Sequence, residues 1–247
     1  LSSRLALVTG AASGLAAGVA RALARDGYRI AFTYKPGGTS PDETVAAVRE
    51  YDADVMAVPN ALEDDAAAIR LVDDVVARRG AIDVAVHAVG PIVVRSFARS
   101  SWSDYRAMID GNLGSAVALA FALLPSMRER KFGRLVFFGM NGSHTTQPAR
   151  LMSIYGAAKA GVVTFARTLA LEEAANGISV NVIEPGDIRD KTATRAAAAL
   201  VPADNPTGHA GSWEDIAAAV RFAVGDEAGF CNGMVLGING GLVQPHE

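Results

Sequence analysis

Tyr155 and Lys159, in the run Tyr155-Gly156-Ala157-Ala158-Lys159, stand four residues apart and so share one face of any helix that contains them. A phenol and an ammonium in that relation form a proton shuttle. Free tyrosine titrates near pH 10 and moves protons poorly at neutral pH, whereas a close cation in a partly desolvated site favours the phenolate. A shift of ~2 to 3 pKa units asks for ~3 to 4 kcal/mol of differential stabilisation, within reach of one nearby charge. Such pairs also occur in helices without consequence, so position has to carry the reading. This one lies about 140 residues after a glycine-rich turn, Thr9-Gly10-Ala11-Ala12-Ser13-Gly14-Leu15-Ala16. Glycines there let the backbone turn tightly and approach a pyrophosphate, whose charge sits against free N–H groups at a helix N-terminus. Gly10, Ser13, Gly14 and Leu15 are the candidate contacts.

The elements that must bring turn and pair together follow from the hydropathy pattern. Short β-branched runs alternate with longer Ala-rich amphipathic stretches, the signature of repeated βα units on a parallel sheet. Strands are predicted at 5–9, 29–34, 54–59, 84–88, 135–138, 179–184 and 234–238, and helices at 15–25, 42–51, 64–79, 104–130, 154–175 and 213–224. Crossovers of this length imply right-handed parallel connections. The fold class is therefore α/β, a doubly wound parallel sheet of about seven strands with helices on both faces, as one domain over 1–247. Residues 191–211 read as a mobile excursion over the sheet's C-terminal edge, where open α/β folds bind ligands.

Composition narrows the partners. Half the residues are hydrophobic and a fifth are charged, enough to bury a large core. A net charge of -3 with no Lys/Arg run of five lacks the phosphate-neutralising surface of a nucleic-acid binder. The single cysteine, Cys231, excludes an intrachain disulfide and reads as a small buried thiol, while His144, His209 and His246 are too scattered for a metal site. No run of roughly 18 uninterrupted apolar residues and no signal-peptide layout is found, so a cytoplasmic protein with small-molecule partners and no membrane is expected.

The turn, the pair and several further segments resemble the short-chain dehydrogenase/reductase family, whose turn is TGxxxGxG and whose catalytic pair is YxxxK. That resemblance implies a three-layer Rossmann fold, a nicotinamide cofactor and hydride transfer between the cofactor and a carbinol carbon. Ala16 stands where the family has its last glycine. Asn112 matches a mid-helix asparagine that binds an ordered water linking the lysine to solvent. Ser143, 12 residues before Tyr155, is the best candidate for the substrate-oxygen donor, although the family's serine stands 13 before, directly after the fifth strand, and that position here is Gly142. His87-Ala88-Val89-Gly90 replaces the family's NNAG, which leaves Gly90 matched and makes His87 a structural or cofactor-proximal residue. Pro185-Gly186 matches a turn that lets Ile188 meet the nicotinamide amide; Asp190 stands where the family often has Thr. Asn60, followed by Ala61, sits where the family places an adenine contact. Tyr34 and Lys35 end the second strand without the carboxylate that would repel a 2'-phosphate, which favours NADP(H) over NAD(H).

The resemblance is nearest to 3-oxoacyl-(acyl-carrier-protein) reductases, and it implies a carbonyl, alcohol or acyl thioester substrate and a homotetramer or homodimer. Arg95, Arg99, Arg106, Arg128 and Arg130 would supply a basic rim for an acidic carrier. Two other readings remain open: a nucleotide-sensing or scaffold protein without turnover, and an NAD-dependent alcohol or sugar dehydrogenase.

Overall fold

Runs of four to eight aliphatic and β-branched residues, too short for core helices, become strands covered on both faces. The computed structural model describes residues 4–52 and 54–242; His246 lies outside them. Seven parallel strands, β1 (Leu5–Thr9), β2 (Arg29–Tyr34), β3 (Met56–Pro59), β4 (Val84–His87), β5 (Gly133–Phe138), β6 (Ile178–Pro185) and β7 (Val235–Ile238), lie in the order 3-2-1-4-5-6-7. The order reverses between β1 and β4, which opens a crevice at their C-terminal ends. This is the expected three-layer Rossmann fold.

Alternation along the strands fills two cores. Leu5, Leu7, Leu135 and Phe137 point to the layer of α3 (Asp65–Arg79), α5 (Ser115–Arg130) and α6 (Ser153–Glu173), while Ala6, Val8, Val136 and Phe138 point to α1 (Gly14–Arg25) and α8 (Trp213–Val224). Between them in sequence come α2 (Asp42–Arg49), α4 (Trp102–Met108) and the short α7 (Arg195–Ala198).

Two expectations need correction. The single helix expected at 104–130 is α4 and α5 joined by a π-helical turn, Ile109–Gly114, because the Asn112 side-chain amide donates to the Met108 carbonyl four residues back at 2.9 Å. This run, Trp102–Arg130, is long and apolar enough to cross a membrane by composition, but Ala116, Leu119, Leu123 and Met127 are buried in the core beside α3 and α6. The excursion at 191–211 is a strap held at its root: Asn205 is buried and donates to Asp187 Oδ2 at 2.7 Å, and Pro202 bridges His209. Cys231 is half-buried.

The contact between α1 and α8 is checked at Gly18, which lies directly under the Trp213 ring, so that a Cβ there would collide with it. Gly18→Ala is expected to lower unfolding free energy by about 1 to 3 kcal/mol despite the helix-propensity gain of ~1 kcal/mol. Trp213→Leu in the same chain restores most of the denaturation midpoint; two losses that simply add would place the ring elsewhere.

Candidate active site

The glycine-rich turn is built by its neighbour strand. Gly10 and Gly14 take positive φ (69° and 65°), and the N–H groups of Gly10 and Ala11 donate to Thr33 Oγ1 and Thr33 O on β2, at 3.0 and 2.8 Å. Ser13 is extended at the N-cap of α1 but its side chain makes no capping bond, and the first turn carries no acidic residue. The N-terminal N–H groups of α1 therefore face the cleft with their partial positive charge uncompensated. Ala16 is buried on the same helix and lines the cleft.

A cleft of about 610 Å³ runs from this turn across the sheet. Its walls bring together Gly10, Ser13, Gly14, Leu15, Gly90, Tyr155, Lys159, Pro185, Gly186 and Ile188, all expected from the sequence. Ala88, Ile92, Met140, Met152, Arg189 and Lys191 also line it and were not anticipated.

Tyr155 and Lys159 lie in the first turns of α6, with the ammonium 5.7 Å from the phenol ring centroid. Lys159 is 5 % exposed and donates to the Phe138 carbonyl at the end of β5 at 2.8 Å. Burial pushes the Lys159 ammonium down to about 8 and the Tyr155 phenol up to about 12. The phenolate expected from the pair is thus absent at neutral pH; the site holds a protonated phenol beside a largely protonated amine.

Behind this wall the polar side chains are tied to backbone carbonyls and to one another, with one acceptor left over. Asn112 donates to the Met108 and Pro91 carbonyls, while its Oδ1 is buried without a hydrogen-bond partner among the described residues. That oxygen lies against Gly90, where any Cβ would collide with it and stand 3.5 Å from Lys159 Nζ. An acceptor left open beside the lysine fits the expected water relay.

His87 does not line the cleft. Its ring is buried, with Nδ1 3.1 Å from Thr9 Oγ1 and Nε2 3.0 Å from Ser115 Oγ. Thr9 Oγ1 accepts from the Ala88 N–H and Ser115 Oγ donates to the Gly111 carbonyl, so the Nε2–H tautomer satisfies every partner. Burial first, and the Lys159 charge second, push His87 down to about 3, which keeps it neutral.

Ser143 does not line the cleft either. Its hydroxyl is buried and donates to Glu184 Oε1 at 2.6 Å while accepting from the Met140 N–H. The buried Glu184 carboxylate further accepts from the Gly142 and His144 N–H groups and lies 2.8 Å from His144 Nδ1. The neighbouring Asn141 is tied to the Leu242 carbonyl and to Asn239. The first side chain after β5 that faces the cleft is that of Met140, whose Cε lies 3.7 Å from a Cβ position on Gly156.

The second-strand tip forms a separate depression of about 280 Å³ lined by Lys35, Asn60, Ala61, Glu63 and Arg70. Tyr34 lines neither space. Asn60 already donates to the Ala67 carbonyl and accepts from the Leu62 N–H, so its amide shapes the turn before it meets any base. Arg128 and Arg130 do not belong to a cleft rim: they pair with Glu173 and Asp83 at the opposite edge of the sheet. Arg95 and Arg106 pair with Asp104 and Asp110, which leaves Arg99 unpaired among the described residues.

The Lys159 shift carries a stability consequence. Between pH 8 and about 10.4 the unfolded chain holds a proton at this lysine that the folded chain has lost, so folding stability rises with pH across that window. In the cofactor-free protein the rise relative to Lys159→Met amounts to about 3 kcal/mol. Parallel stability-against-pH curves for the two proteins would show that the ammonium is not desolvated.

Residues 10–243 match the family described as enoyl-(acyl carrier protein) reductase. The chain is 32 % identical to a 3-oxoacyl-(acyl-carrier-protein) reductase of Haemophilus influenzae, covering 98 % of this chain and 99 % of that one. It is 33 % identical to an acetoacetyl-CoA reductase of Shinella zoogloeoides, covering 97 % and 98 %. The solved structure of levodione reductase superposes with a TM-score of 0.86 at 27 % identity, covering 96 % of each chain.

Proposed function

Because the chain belongs to the short-chain dehydrogenase/reductase family of oxidoreductases, we propose that it is a cytoplasmic, NADPH-dependent ketoreductase that converts the carbonyl of a small 3-ketoacyl thioester or related ketone to a secondary alcohol. The observation that carries this reading is the protonated Tyr155 beside the buried Lys159, at one end of a cleft whose other end is an uncompensated helix N-terminus. The bound dihydronicotinamide supplies the hydride that the carbonyl carbon receives. Tyr155 gives its phenolic proton to the carbonyl oxygen, and a phenol held at about 12 carries that proton throughout the neutral range. Lys159, cationic below about 8, stabilises the phenolate left behind, and the open acceptor of Asn112 leads the replacement proton toward the pair.

Ile92, Met140 and Met152 make the substrate end of the cleft largely apolar, and no lining side chain among the described residues there adds a donor to Tyr155 and Lys159. This suits an acyl chain. It is also the observation that favours a nucleotide-sensing protein without turnover, since the serine hydroxyl is withdrawn onto Glu184. NADPH is preferred because Lys35 and Arg70 share one depression, opposed by Glu63 alone. The exposed Phe121 of α5 and Leu171 of α6 support self-association as a homotetramer or homodimer, which equilibrium ultracentrifugation distinguishes.

Tyr155→Phe is expected to keep NADPH affinity and to lose about 10²-fold or more in kcat for NADPH oxidation with a short 3-ketoacyl thioester. Cofactor binding without turnover across a broad carbonyl panel would give the sensing reading the advantage. Met140→Ser should raise kcat/KM by about tenfold, the equivalent of one added hydrogen bond to the oxygen; a fall would mean the thioether itself seats the substrate. Changing both Lys35 and Arg70 to Ala should weaken NADPH by at least ~10-fold while leaving NADH within about twofold. Equal losses for the two cofactors would remove the 2'-phosphate assignment.

A further inference from the structure

We propose that Lys191 closes over the phosphates of the cofactor, so that nucleotide binding and the fastening of the 187–211 strap are one event; the inference rests on the nucleotide reading of the cleft. The side chain lies on the first residue of α1: a Cβ on Gly14 would stand 3.4 Å from Lys191 Cβ and 3.7 Å from its Cδ. Lys191 borders both the cleft, with Ser13, and the groove that adjoins it along Gly18 and Arg21. Its ammonium has no carboxylate and no hydrogen-bond partner among the described residues.

This placement is electrostatically wrong without an anion. A helix N-terminus carries partial positive charge, and α1 has neither an acidic first-turn residue nor a side-chain cap to offset it. An ammonium stem laid across that terminus adds charge of the same sign. A pyrophosphate between them reverses both interactions, since it accepts from the helix N–H groups and pairs with the cation.

The neighbouring residues are committed elsewhere. Arg189 pairs with Asp187 at 3.0 Å. Asp190 Oδ1 accepts from the Thr192 N–H and hydroxyl at 2.8 and 2.7 Å, which spends its carboxylate on the local turn. Of the three consecutive charged side chains 189–191, only Lys191 is left for a ligand. The strap is closed at its base by Asp187, which accepts from Asn205 Nδ2 through its side chain and from the Gly211 N–H through its carbonyl at 3.2 Å. Its middle is held to α8 by Arg195 on Asp215 at 2.7 Å. Lys191 is thus the residue through which the nucleotide end of the cleft reaches the strap, and the strap in turn walls the cleft at Asp187 and Ile188.

The test compares wild type with Lys191→Met, which keeps the stem and removes the charge, and with Lys191→Arg, which keeps the charge. NADPH dissociation constants are measured by calorimetry from low to high salt, and tryptic cleavage after Arg195 is timed with and without NADPH. Lys191→Met should bind NADPH about tenfold more weakly at low salt, with a flatter salt dependence, and Lys191→Arg should stay near wild type. NADPH should slow cleavage after Arg195 in wild type and in Lys191→Arg but not in Lys191→Met. Wild-type affinity, salt dependence and protection in Lys191→Met would overturn the clamp while leaving the nucleotide reading intact. Failure of the wild-type protein to bind either NADPH or NADH would remove the nucleotide reading and the clamp with it.

Discussion

An ammonium held out of water is the constraint around which the site is arranged. Lys159 is almost fully buried and donates to one backbone carbonyl, Phe138 O, at the point where β5 ends and the sheet opens. A buried cation tolerates no second one nearby, and the buried imidazole of His87 is held neutral by burial and by that same charge. Gly90 leaves the room that the Asn112 side chain needs beside the ammonium, since a Cβ there would collide with Asn112 Oδ1. The desolvation lowers stability at neutral pH, a pattern expected where a group is kept for chemistry and not for folding.

Neutral His87 can then serve as a brace. Its two ring nitrogens tie the end of β1 through Thr9 to the π-helical turn through Ser115, and the turn carries Asn112. The Asn112 amide consumes the Met108 and Pro91 carbonyls, which holds the π geometry and leaves Oδ1 open beside the lysine. An imidazole thereby replaces side-chain amides at a strand end where the resemblance expects asparagine, and the bracing between strand and helix is retained by a different donor and acceptor pair.

The elements were legible wherever periodicity decides: β1, β2 and α8 begin and end where the pattern places them. Side-chain hydrogen bonds that interrupt a period were not. β3 starts at Met56 instead of 54 because Asp52 accepts from the N–H groups of Ile30 and Asp54 and holds the chain in a turn. The helix through Asn112 read as continuous because its π turn arises from one amide reaching its own backbone. Counting back from Tyr155 to Ser143 presumes a fixed loop length; counting forward from the end of β5, past Gly139, the first side chain met is Met140. One signal was available. Glu184 sits inside the apolar strand Ile178–Pro185, and a carboxylate so placed must recruit donors from a neighbouring loop.

Those donors give the cleft two walls of different character. The Gly142, Ser143 and His144 groups gathered by Glu184 make the loop after β5 a fixed surface, and the hydroxyl spent there is one the substrate oxygen does not receive. The opposing wall at Asp187 and Ile188 belongs to a strap fastened at its base and by surface ion pairs, which in water contribute little each. Preorganised electrostatics are most useful where charge develops in the transition state, and in the proposed reaction that burden would fall on Tyr155 and Lys159. On the proposed ketoreductase reading, with no donor offered by the fixed wall, discrimination among substrates would fall to the apolar surface of Met140, Met152 and Ile92 and to how the strap seats against it, so shape, more than oxygen recognition, would set what this cleft accepts.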